Sequence, residues 1–174
     1  KGVIDVMNST GKLVVTNAAI ENTGQRQAIN NEGGIVEIGS GAIIKSNATG
    51  EYFDVKRGTL QNNSGSTRII GGTIINSGGT AISLKEGNLT IGTKDGISFT
   101  DIPVIQGASY GVSSATTAFE FYDGVIKGAQ SSVEVASTLP DSNVEEGYIK
   151  NETTELIDTV QYHVLSLVKN NTPL

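Results

Sequence analysis

Gly11-Lys12-Leu13-Val14-Val15, Gly34-Ile35-Val36-Glu37-Ile38 and Gly87-Asn88-Leu89-Thr90-Ile91 are one phrase written three times, a glycine followed by apolar residues two and four places on. A weaker copy, Gly58 and Leu60 with Asn62 in the last apolar place, falls between the second and third. The four starts lie 23, 24 and 29 residues apart, the period at which a chain completes one turn of a solenoid. The spacing therefore predicts a coil of repeated turns.

Two further patterns fill each interval. Ala18–Asn22 (AAIEN), Ala42–Ser46 (AIIKS) and Gly72–Asn76 (GTIIN) align as a middle strand, while Val3–Val6, Ala28–Ile29, Tyr52–Val55 and Ala81–Leu84 align as a third. Apolar runs this short do not suit helices; bounded by Gly, Asn and Ser, they suit strands. Such strands cannot pair inside their own turn, so each stacks on its equivalent in the next, about 4.8 Å away. The right-handed bias of parallel crossovers supplies the hand. The expected fold is all-β: a right-handed parallel β-helix over residues 1–136, with three strands per turn and about five turns. Residues 137–174 are read as a connector and capping hairpin of the same domain. In that hairpin Gly147–Lys150 lies antiparallel to the alternating run Val160–Val164 and covers the open end of the coil. At the other end Val3–Val6 matches only the third strand of a turn, so the coil is expected to begin upstream of Lys1, in a longer chain. Asn22, Asn47 and Asn76 follow the middle strand, where stacking predicts an amide ladder; the alternative is that each serves only its own left-handed turn.

Composition agrees with many short strands: 22 glycines, three prolines and nine aromatic residues in 174, with 37% hydrophobic residues for a narrow core. A net charge of −6 and twelve thinly spread Lys and Arg argue against nucleic acid as a partner. No apolar run approaches the roughly 18 residues of a membrane span, so no membrane insertion is expected. The absence of cysteine excludes a disulfide scaffold and a thiolate zinc site.

Phe119–Gly128 (FEFYDGVIKG) followed by Glu145–Lys150 (EEGYIK), set after these turns, resembles a right-handed parallel β-helix module of pectin-lyase-like architecture found in secreted or cell-surface repeat proteins of Gram-positive gut bacteria. The resemblance implies export and a cell-surface setting. It carries over no catalytic residues.

Chemistry is sparse in the chain. Asp5 and Asp54, both in the third pattern, would share a face two turns apart, about 9 to 10 Å, a separation an inverting glycosidase tolerates; a polar exterior is the simpler meaning. Arg57 is read as an ion-pair partner of Asp54, and the lone His163 as a surface residue of the capping strand. Motifs for a phosphate-binding loop, a nucleophile elbow or a zinc-binding HExxH helix are missing. No catalytic residue, metal site or cofactor is assigned. If a ligand binds, the expected places are two insertions, Ser64–Arg68 with Arg68 and Thr93–Ile102 with Asp95 and Asp101. The aromatic group Tyr110, Phe119, Phe121 and Tyr122 could add a sugar-stacking surface; packing inside a wide last turn is the simpler meaning. The sequence thus favours a non-catalytic structural or adhesive module with a carbohydrate or cell-surface ligand, with a polysaccharide lyase or glycoside hydrolase as the alternative.

Overall fold

The computed structural model describes residues 3–52, 54–95, 101–114, 118–134 and 139–171. Among these the chain is all-β with largely parallel sheets, and its one helical element is a short 3₁₀ turn at Asp141–Asn143. No helix among them is long and apolar enough to cross a membrane.

The strands, in chain order, are β1 (Ile4–Met7), β2 (Lys12–Val15), β3 (Ala19–Asn22), β4 (Ile29–Ile38), β5 (Ile43–Ser46), β6 (Glu51–Tyr52), β7 (Val55–Lys56), β8 (Gly58–Ile69) and β9 (Thr73–Asn76). They continue with β10 (Thr80–Leu84), β11 (Asn88–Ile91), β12 (Val104–Gly107), β13 (Tyr110–Ser114), β14 (Glu120–Phe121), β15 (Val125–Gly128), β16 (Ser131–Val133), β17 (Tyr148–Ile157) and β18 (Val160–Lys169).

They form three parallel stacks. The first joins β1, the front half of β4, the front half of β8, β10, β13 and β16. The second joins β2, the back halves of β4 and β8, β11 and β14. The third runs β3, β5, β9, β12 and β15. The long strands β4 and β8 bend from the first stack into the second, with register shifts at the bend.

Alternation along each strand sends every second side chain inward, and equal registers place like on like. The third stack thereby builds a column of isoleucines, Ile20, Ile44, Ile74, Ile105 and Ile126, the last four with no exposure. The first stack contributes Ile29, Leu60, Ile82 and Val112, and the second Val15, Ile38, Ile69, Ile91 and Phe121. Each fully buried aliphatic side chain contributes about 1.5 to 3 kcal/mol. Phe119 and Phe121 are wholly buried and fill the core where the glycine phrase ends.

The middle-strand pattern of the sequence appears as aligned, with Ile20, Ile44 and Ile74 in register. The weak glycine phrase does not. Gly58-Leu60-Asn62 belongs to the first stack, where Leu60 lies between Ile29 and Ile82. The true fourth phrase is Gly65-Ser66-Thr67-Arg68-Ile69, with Thr67 between Val36 and Leu89. Backbone contact explains why glycine recurs in this column. A Cβ on Gly34 would lie 2.6 Å from the Gly11 carbonyl oxygen, one on Gly65 (φ +85°) would collide with the Gly34 carbonyl, and one on Gly87 with that of Gly65. Ser64–Arg68 is therefore strand, not an insertion.

Tyr52–Val55 is also reassigned. Phe53 lies outside the described residues, but β6 and β7 pair antiparallel with each other, Glu51 opposite Lys56 and Tyr52 opposite Val55. They form a small hairpin outside the stack, and β7 rests on β10 and β13.

At the C-terminal end β17 and β18, ten residues each, form an antiparallel hairpin through Asp158 and Thr159, both at positive φ as a type I′ turn requires. The two runs expected to face each other do not, because Tyr148–Lys150 pair with Leu167–Lys169 and Val160–Val164 with Thr153–Ile157. Strand β18 pairs antiparallel with β15, so the hairpin occupies the last edge of the third stack.

Candidate functional site

The outward residues of the first stack form a continuous polar row, Asp5, Asn30, Gln61, Ser83 and Ser113, each paired in register with the next. Outward polar residues are normally wet, yet Asn30, Gln61, Ser83 and Ser113 are each 3% exposed or less. Hydrogen bonds compensate this burial. Asn30 Nδ2 donates to Asp5 Oδ1 (3.2 Å) and Glu32 Oε1 (2.8 Å). Asn63 Nδ2 donates to Asn30 Oδ1 and to the same Glu32 oxygen, both at 2.9 Å. Gln61 Nε2 donates to Asn63 Oδ1 and Ser83 Oγ, both at 3.2 Å, and its Oε1 accepts the Gly58 N–H.

The hairpin β6–β7 ties into this row at two points. Tyr52 donates its hydroxyl to Glu32 Oε1 at 3.3 Å; burial first, then the charge of Glu32, holds the Tyr52 hydroxyl above its usual pKa. Lys56 pairs with Glu134 at 3.2 Å, which raises the lysine pKa, and its ammonium lies 5.4 Å from the Tyr110 ring centre. Glu134 also accepts a hydrogen bond from Ser113. The face is thus a hydrogen-bonded polar layer beside a strapped-down hairpin.

Asp5 and Asp54 do not share a strand position. Asp5 stacks on Asn30 and then Gln61, whereas Asp54 is exposed in the β6–β7 turn at φ 63°. Nor does Arg57 pair with Asp54 among the described residues: its Nη2 donates to the Glu51 carbonyl at 2.9 Å, and its guanidinium lies 5.4 Å from the Tyr52 ring centre.

The five ligand candidates fall in four places, with Asp95 and Tyr122 sharing one. Arg68 is exposed on β8, in a row running Glu37, Arg68, Thr90 and Glu120, and pairs with Glu37 at 3.6 Å. Asp95 and Tyr122 meet at one corner. Buried Glu145 accepts the Asp95 N–H with both oxygens at 3.1 Å, and burial, then Glu120, pushes the Tyr122 hydroxyl pKa up, with Glu145 and Asp95 adding to the effect. Thr90 donates to Glu120 at 3.1 Å. Asp101 lies beside Gly71, where an added Cβ would sit 3.0 Å from Asp101 Oδ2. Residues 96–100 of that loop lie outside the described residues. Tyr110 belongs to the first stack beside Lys56. His163 is exposed on β18, opposite Gly128 and Thr154. Among the described residues no group of three or more His, Asp or Glu is placed to hold a metal ion.

The predicted asparagine ladder is also displaced. Ser46, not Asn47, is in register with Asn22 and Asn76. Asn76 serves the turn backbone, donating to Ala48 O and Thr80 O and accepting the N–H groups of Gly78 and Gly79. A buried amide pair occurs instead inside the first stack, where Asn31 Nδ2 donates to Asn62 Oδ1 at 2.9 Å. Its signal was present in the sequence: Asn31 and Asn62 each stand three residues before a phrase glycine, Gly34 and Gly65.

No family model, curated protein or solved structure matches this chain.

Proposed function

We propose that this chain is a right-handed parallel β-helix acting as a non-catalytic structural and adhesive module of a secreted or cell-surface protein, with a saccharide as its ligand. The three parallel stacks with matching register support the helix, and the bias of parallel crossovers supplies the right hand. The YDG and EEGY phrases support the cell-surface setting by resemblance.

One observation carries the non-catalytic reading. On the broad polar face, Glu32 Oε1 takes donors from Asn30, Asn63 and Tyr52, which belong to two successive levels of the stack and to the hairpin. A general acid or base must reach the substrate proton within hydrogen-bond distance. This oxygen instead holds protein to protein.

The test is incubation of the purified protein with a broad polysaccharide panel, with and without calcium, reading retention on the polysaccharide and release of fragments. Retention without fragments is expected. Fragment release that is abolished by Glu32→Gln or Asp5→Asn would establish the lyase or hydrolase alternative and overturn the proposal.

A further inference from the structure

Hairpin β6–β7 forms one wall of a cleft of about 290 Å³ whose floor is made of corners that follow strands of the third stack. These corners are themselves stacked: Ser109 N–H donates to Gly79 O and Gln130 N–H to Ser109 O. The floor presents the exposed Gly78, the half-buried Ser109 hydroxyl and the exposed Gln130 amide, while the Gly78 and Gly79 N–H groups are taken by Asn76 Oδ1 and Thr80 is buried beneath Ser109. Among the described residues no aliphatic side chain lines the cleft. Such a surface offers hydrogen bonds and one aromatic ring, Tyr110, which suits a polyhydroxylated ligand; a peptide needs apolar anchors.

The charges on the hairpin wall are not equivalent. Lys56 is matched by Glu134 at 3.2 Å, with Glu51 also acting on it. Arg57 makes no ion pair among the described residues. Its Nη2 is held by the neutral Glu51 carbonyl, and its buried Nε has no hydrogen-bond partner among them. A half-buried guanidinium with no ion pair among the described residues, on a wall it shares with Lys56 and Glu51, is a cation that an anionic ligand can satisfy.

We propose that this cleft binds the anionic group of an acidic saccharide, with Arg57 holding the charge and the Ser109 hydroxyl and Gln130 amide holding the sugar. This rests on the saccharide-binding reading above and narrows it to one ligand class and one place. The carboxylate of an acidic sugar and a sulfate ester on a neutral one share the required chemistry.

The experiment is binding of the whole chain to an array carrying carboxylated, sulfated and uncharged saccharides, with poly-glutamate as a peptide competitor, for the parent, Arg57→Gln and Arg57→Lys. Melting temperatures establish that each variant folds. Acidic saccharides should bind preferentially and more weakly as salt is raised, and Arg57→Gln should weaken them by roughly tenfold or more, the scale of one charge-assisted hydrogen bond. Arg57→Lys should fall between. The carboxylated and sulfated arms identify which anion is bound. Binding of uncharged saccharides unaffected by Arg57→Gln would overturn this inference and leave the saccharide reading standing. No saccharide binding at all would overturn both, and stronger binding of poly-glutamate would replace the saccharide by an acidic peptide. If Arg57→Gln fails to fold, the parent's salt dependence and its preference for acidic over uncharged sugars still decide.

Discussion

Replacing Asn62 by leucine tests whether a buried polar column, rather than apolar packing alone, holds the bend between the first two stacks. Asn62 has no exposure. Its Oδ1 accepts from Asn31 Nδ2 and Thr67 Oγ1, both at 2.9 Å, and its Nδ2 donates to Glu86 O at 3.1 Å and Asn88 O at 3.4 Å. Four such bonds, each worth about 1 kcal/mol net, amount to about 4 kcal/mol. A leucine here would extend the apolar position already held by Leu84 in the next strand, recovering about 1.5 to 3 kcal/mol through burial. The expected net loss for Asn62→Leu is therefore about 1 to 3 kcal/mol. Asn62→Ala lacks that gain and should lose about 4 kcal/mol or more. In the double variant with Asn31→Leu, the shared bond is lost only once, so the two changes should couple by about 1 kcal/mol. Urea unfolding followed by circular dichroism and tyrosine fluorescence measures all five proteins, the parent, Asn62→Leu, Asn62→Ala, Asn31→Leu and the double variant, and a common m-value establishes that the transitions are comparable. A parent-like Asn62→Leu with no coupling to Asn31 would refute the polar-column argument.

Three other outcomes are expected. Ile74→Ala, at the middle of the isoleucine column, should cost about 2 to 5 kcal/mol, and Ile20→Ala, half-buried in the end strand, clearly less; equal losses in chemical denaturation would contradict the stacking order. Asn76→Ala removes three hydrogen bonds to its own turn and one to Ala48 of the preceding level, and should cost roughly 2 to 4 kcal/mol, without coupling to Asn22→Ala because Ser46 intervenes; a strong coupling in a double-mutant cycle would restore the ladder. Tyr52 and Lys56 both hold their protons more tightly in the folded chain. Their stabilisation is therefore complete below about pH 10 and is lost as pH rises through the raised values. The melting temperature of the parent should fall more steeply above that pH than that of a Tyr52→Phe/Lys56→Met variant, and parallel curves would sink the idea.

Much of the stack could be read from the sequence because apolar alternation is a strong local signal. Ile20, Ile44 and Ile74 come into register as the repeat implies, and a C-terminal hairpin forms, but as a longer one in which Tyr148–Lys150 face Leu167–Lys169 instead of Val160–Val164. The third level was harder. Thr67 replaces the phrase's first apolar residue at Gly65, while Gly58-Leu60 imitates the phrase by chance. Choosing between them depends on contacts from other levels: the carbonyl of Gly34 against Gly65, and Ile29 and Ile82 either side of Leu60. Once Leu60 is placed, Tyr52–Val55 is displaced from the stack and must fold outward as a hairpin. The candidate site was hidden for the same reason. Lys56, Arg57 and Tyr52 acquire their places from that hairpin, and Glu32, Asn30 and Asn63 become a network only when β4 and β8 are neighbours.

The register of β4 against β8 underlies the hairpin, the polar face and the cleft alike, and it can be measured directly because the chain has no cysteine. Neighbouring parallel strands lie about 4.8 Å apart, within the Cα separation a disulfide spans. The variant Glu37→Cys/Arg68→Cys, whose residues are paired across the strands, should form an intramolecular disulfide on mild oxidation, seen as reduction-sensitive mass and mobility changes. Glu37→Cys/Gln61→Cys, the pairing that the Gly58 phrase would require, should remain reduced. The opposite pattern would contradict the register, and with it the placement of the site.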